Sequence, residues 1–97
     1  MIRAQVMNKL RERLPGLQTR YGITSLGLFG SVARDEEGPH SDVDLLVGFL
    51  GDPTFARYMG LKEELEALLE RKVDLVTTTG LKPRIRDRVL AELLDVA

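Results

Sequence analysis

Three acidic residues stand where acids are costly. Asp42 and Asp44 lie two apart in Ser41-Asp42-Val43-Asp44-Leu45-Leu46-Val47, and Asp74 interrupts the apolar run Val73-Asp74-Leu75-Val76. As strands, alternation puts Asp42, Asp44 and Leu46 on one face and Val43, Leu45 and Val47 on the other. Carboxylates in apolar strands cost free energy unless they are paired, hydrogen-bonded or bound to a cation. Three held close together repel one another and raise their own pKa values, a penalty that a divalent cation reverses. An all-oxygen donor set suits Mg²⁺, which keeps several waters and shares substrate phosphates. With no cysteine and His40 the single histidine, zinc is a poor fit.

Gly30-Ser31 supplies the complementary chemistry. The pair falls where an apolar strand runs into a short helix, and a helix start offers free N–H groups and positive charge to phosphate. Gly30 allows close approach of an anion to the backbone, and the Ser31 hydroxyl can donate to it. Arg34, one turn on, can add charge-assisted contacts. Two roles fit Ser41: capping the strand or orienting Asp42.

The elements that must position these residues read from periodicity. Residues 2–14 carry Ile2, Val6, Leu10 and Leu14 at helical spacing, and Pro15-Gly16 interrupts them. Leu17 to Tyr21 adds another helical turn. A Gly-bounded strand spans 24–29, a helical stretch surrounds Val32-Ala33-Arg34, and a polar loop covers 35–41. The clearest strand is 42–49. Asp52 as N-cap and Pro53 in the first turn open a helix to Glu70, with Leu61, Leu65 and Leu68 as its apolar line. A third strand spans 72–77. After a turn at Thr79-Gly80, Pro83 opens a last helix whose buried side is Ile85, Val89, Leu93 and Val96. The expected fold class is α/β, a small mixed sheet flanked by helices, in one domain over residues 1–97.

Composition sets the outer bounds. The 97 residues are 43% hydrophobic and 30% charged, an ordinary globular balance. Fourteen basic residues face fifteen acidic ones, so binding of nucleic acid through the overall field is disfavoured. No apolar run reaches the ~20 residues of a membrane span. The absence of cysteine fits a reducing compartment, and the expected location is the cytoplasm. The alternating Lys82, Arg84, Arg86 and Arg88 read as a solvated helix start or as a triphosphate or partner contact. His40, Tyr21 and Tyr58 read as surface or packing residues, and Glu63, Glu64 and Glu66 as a solvated helix face.

Gly30-Ser31, ten intervening residues and then Asp42-Val43-Asp44-Leu45 resemble the signature of the DNA polymerase beta-like nucleotidyltransferase superfamily. The fuller string from Gly30-Ser31-Val32-Ala33-Arg34 to Val47 resembles its minimal nucleotidyltransferases. Asp74 matches the third carboxylate of that family, and the stretch from Leu81 to Leu90 is similar to its last helix. One departure is Asp35, where many relatives have glycine.

The resemblance implies transfer of a nucleoside monophosphate from a triphosphate, ATP first, to a hydroxyl. It implies two Mg²⁺ ions held by Asp42, Asp44 and Asp74, with Asp74 nearest the attacking hydroxyl. Gly30, Ser31, Arg34 and Ser41 would bind the nucleotide. Larger relatives carry a second domain for the acceptor. Here another protein or a second copy must present it, in a hetero-oligomer or a homodimer. The partner implied is a HEPN-type ribonuclease toxin, neutralised by AMPylation of a tyrosine with this chain as antitoxin. Two alternatives stay open: masking of the toxin by binding alone, and transfer to a small hydroxyl compound such as an aminoglycoside.

Overall fold

The computed structural model describes residues 2–96. Its elements are α1 (Ile2–Tyr21), β1 (Ile23–Phe29), α2 (Gly30–Ala33), β2 (Val43–Phe49), α3 (Phe55–Leu69), β3 (Val73–Thr77), α4 (Pro83–Glu92) and β4 (Leu94–Asp95). The four strands form one mixed sheet in the order β3-β2-β1-β4. β2 runs parallel to β3, and β1 runs antiparallel to both β2 and β4.

One face of the sheet makes the core. Val43, Leu45 and Val47 of β2, and Val73 and Leu75 of β3, point into it as alternation requires. In β1 the inward residues are Ile23, Leu26 and Leu28. Their odd spacing is accommodated by a bulge between Ile23 and Ser25, which shifts the register against β2. Leu10 and Leu17 of α1 and Leu61 and Leu65 of α3 close this face with no exposed surface. Each such leucine contributes about 1.5–3 kcal/mol on burial.

Pro15 does not divide the first helix as expected; α1 runs through it for 20 residues. Proline removes one amide and crowds the carbonyl four residues back, that of Arg11. Arg11 and Pro15 are both exposed, so water can serve the freed carbonyl. Leu10, Leu14 and Leu17 are buried on the other side and hold the helix together. The start of α3 also differs. Thr54, not Asp52, is the N-cap, its Oγ1 accepting the Arg57 amide at 3.1 Å. Pro53 stands outside the helix, and Leu69 replaces Leu68 as the buried residue of the last turn.

The C-terminal segment departs most from expectation. α4 ends at Glu92, Val89 is its buried residue, and Ile85 is exposed. Leu93 begins extended chain, and Leu94-Asp95 pairs with Leu28 and Gly27 of β1. The Val96 amide then donates to the Leu26 carbonyl at 2.9 Å. The outer edge of β1 presents amides and carbonyls that demand partners, and the tail supplies them. Val96 is buried, as expected, but from this strand rather than from a helix.

Candidate active site

Three strand ends meet on the face opposite the core. β1 leaves the sheet at Phe29, β2 enters at Val43 and β3 at Val73. Phe29 is in register with Asp44, and Asp44 with Asp74. Neighbouring strands lie about 4.8 Å apart, so paired residues carry their side chains side by side on one face. Two carboxylates are thereby set directly across from each other, an arrangement that repels.

Asp44 registers that repulsion. Its pKa is pushed up to about 6, by burial first, then by the charges of Asp74 and Asp42 and a hydrogen bond with Asp74; Arg34 pulls it back. Asp74 and Asp42 are exposed.

Gly30 is required here for two reasons. Its φ of 77° lies in the left-handed region. A Cβ at this position would also come within 1.9 Å of Asp44 Oδ2. The turn after β1 therefore passes directly against the Asp44 carboxylate. A cleft of about 370 Å³ opens beside it, lined among others by Gly30, Ser31, Arg34, Asp44, Asp74 and Arg88.

The structure brings together five of the residues singled out from sequence: Gly30, Ser31, Arg34, Asp44 and Asp74. Asp42 does not line that cleft. It precedes β2 and lines a different depression with His40, Ser41 and Arg71. It acts on Asp44 through space. Among the described residues, no three acidic, cysteine or histidine side chains are gathered closely enough to hold a metal ion as they stand. Ser41 faces its own loop, where its Oγ accepts the Gly38 amide at 2.7 Å. Of the four basic residues at the start of α4, Arg88 reaches the cleft.

Asp35 adopts φ of 63°, with its amide on the Val32 carbonyl at 3.1 Å. A left-handed position explains why glycine suits it and why aspartate is among the residues that tolerate it.

Three side chains had no site or positioning role from sequence. Glu92, at the end of α4, accepts the Gly30 amide at 3.0 Å and Arg34 Nη1 at 3.0 and 3.1 Å. Burial raises its pKa, but the hydrogen bonds from Arg34 and the Gly30 amide together leave it lowered. Glu66 accepts the Val73 amide at 2.9 Å and so anchors β3 one residue before Asp74. Glu64 binds Arg20 and accepts the Tyr21 hydroxyl at 2.8 Å. Neither Glu64 nor Glu66 belongs to a merely solvated face. Periodicity carries no signal for such contacts, whose partners are 62, 7 and 43 residues away. Both tyrosines are committed to packing: Tyr21 to Glu64, and Tyr58 through its hydroxyl to the Leu75 carbonyl.

Among the described residues, no helix is long and apolar enough to cross a membrane. The profile of the family described as "Nucleotidyltransferase domain" matches residues 7–96. The protein adenylyltransferase MntA of Thermococcus cleftensis is 44% identical over 80 residues, covering 82% of this chain and 81% of its own. A solved structure provisionally named a minimal nucleotidyltransferase is 41% identical, with a TM-score of 0.79 and coverage of 93% and 92%. The fold recurs at 19% identity and a TM-score of 0.71 in a structure of a tri-AMPylated Shewanella oneidensis HEPN toxin in complex with an MNT antitoxin. That match covers 98% of this chain and 71% of the other.

Proposed function

The chain belongs to the nucleotidyltransferase domain family, and on that premise we propose that it is an antitoxin that AMPylates a HEPN-type ribonuclease toxin. AMP passes from ATP to a toxin hydroxyl, that of a tyrosine. The observation that carries this reading is the Asp44–Asp74 pair, set in register beside the Gly30-Ser31 turn in one cleft. Similarity to a protein adenylyltransferase at 44% identity supports the reaction class.

The donor set fits Mg²⁺. Asp44 is raised by burial and by neighbouring carboxylates, the state of an acid that lacks a counter-charge. Asp44 and Asp74 would hold the cation with Asp42 beside them, two ions in the full reading. When bound, it supplies charge neutralisation at the phosphates and at the attacking oxygen.

The rest falls to side chains and backbone. The acceptor oxygen bonds to the α-phosphorus, the bond to the bridging oxygen breaks, and pyrophosphate leaves with the electron pair. Asp74, exposed at the mouth of the cleft, takes the acceptor's proton. Gly30 and Ser31 hold the departing phosphates, and Arg34 and Arg88 offset their charge. In this reading the acceptor hydroxyl comes from the partner toxin.

The test is purified protein with Mg²⁺, α-labelled ATP and the toxin. Label is expected on the toxin, with a mass gain of whole AMP units. Transfer should fall by at least about 10³-fold in Asp44→Asn/Asp74→Asn. Neutralisation that survives in that variant at equal concentration would assign the protein to masking by binding instead.

A further inference from the structure

Glu92 sits on donors that the proposed reaction needs. Its Oε1 accepts the Gly30 amide at 3.0 Å and Arg34 Nη1 at 3.1 Å, and its Oε2 accepts the same Nη1 at 3.0 Å. A carboxylate presents two anionic acceptor oxygens, as a phosphoryl group does. Arg34 is shared further with Glu36, through Nε at 2.9 Å. The single proton of the Gly30 amide is already engaged, and the guanidinium is divided between two carboxylates.

The charge balance points the same way. The cleft holds Asp44, Asp74 and Glu92 against Arg34 and Arg88. A polyphosphate entering it meets one anion too many. Glu92 is the last residue of α4, extended chain begins at the next residue, and its side chain, 17% exposed, is not part of the hydrophobic core. Rotation of that side chain breaks no backbone ladder.

We propose that Glu92 is an internal competitor for nucleotide phosphate. Its carboxylate occupies the Gly30 amide and Arg34 until a polyphosphate displaces it, and so sets the affinity for nucleotide. The proposal rests on the adenylyltransferase reading for the identity of the natural ligand. A mere tie between α4 and α2 predicts the opposite sign, because loosening it would spoil the cleft.

The probe is inorganic pyrophosphate, titrated calorimetrically into the full chain in EDTA. Glu92→Gln is expected to bind it on the order of fivefold more tightly than wild type, even with a lower Tm. The gain should shrink when Arg34→Ala is added, leaving the share owed to the Gly30 amide. In the wild type, pyrophosphate should shift the Gly30 amide resonance. Equal or weaker binding by folded Glu92→Gln, or a gain undiminished by Arg34→Ala, overturns the proposal. Should Glu92→Gln fail to fold, Glu92→Asp withdraws the carboxylate by one methylene and should tighten binding by a smaller factor. A Gly30 resonance unmoved at saturating pyrophosphate overturns the proposal without any variant. Tightening without label transfer to the toxin refutes the adenylyltransferase reading alone. Transfer by wild type without tightening refutes this proposal alone.

Discussion

Replacing Asp44 by asparagine should make the protein more stable at neutral pH, although it removes a residue of the proposed active site. The carboxyl moves from an ordinary 3.8 to about 6 on folding. At full conversion that is about 3 kcal/mol against the folded state once the group is ionised in both states. Solvent reaches part of the side chain and screens it, so about half, roughly 1.5 kcal/mol, is the expected gain. Because the folded value lies above the unfolded one, the native state holds its proton longer, and stability falls as pH rises from about 4 to 6. Glu64 and Glu92 are lowered and act in the opposite direction, so the quantity to read is variant minus wild type at each pH. Asparagine keeps the shape and can donate to the Asp74 carboxylate. Thermal unfolding in EDTA should show Tm higher by about 6–12 °C at pH 7.5, with about a third of the stability gain left at pH 4.5. Mg²⁺ at pH 7.5 should stabilise the wild type and leave Asp44→Asn unmoved. A variant no more stable than wild type at pH 7.5 would refute the carboxylate-repulsion argument.

Gly30→Ala places a methyl group within 1.9 Å of Asp44 Oδ2 at a φ of 77°. The left-handed backbone alone costs alanine about 1–2 kcal/mol, and the displaced Asp44 adds to it. Urea unfolding should show a loss of at least about 2 kcal/mol, and an unchanged midpoint would contradict the close approach. Asp35→Gly should stabilise by about 0.5–1 kcal/mol, since glycine accepts the φ of 63° without a Cβ penalty. A lower Tm for that variant would mean that the Asp35 side chain contributes more than its backbone costs.

The local grammar of this fold was legible. Val43, Leu45 and Val47 alternate with Asp44 and Leu46, and Val73 and Leu75 with Asp74, because the pleat has a period of two wherever a strand forms. Asp44, Asp74 and the Gly30-Ser31 turn announced themselves as residue types at odds with their apolar neighbours. Spacing could not say which strand lies beside which. The pairing of Asp44 with Asp74, and the separate depression that Asp42 lines, belong to register and strand ends. Pro15 was misread as a break because its local penalty is visible in sequence, whereas the burial of Leu10, Leu14 and Leu17 that outweighs it is not.

Chemical type and periodicity, then, are properties of the chain itself, and they specified the first three strands, the acids and the Gly30-Ser31 turn. Contacts between distant segments exist only after the sheet has assembled. The β4 tail satisfying the edge of β1, and the Glu92 carboxylate closing on Gly30 and Arg34, were decided by the tertiary structure alone. An open strand edge and an amide beside a guanidinium each recruit whatever partner the packed chain brings within reach.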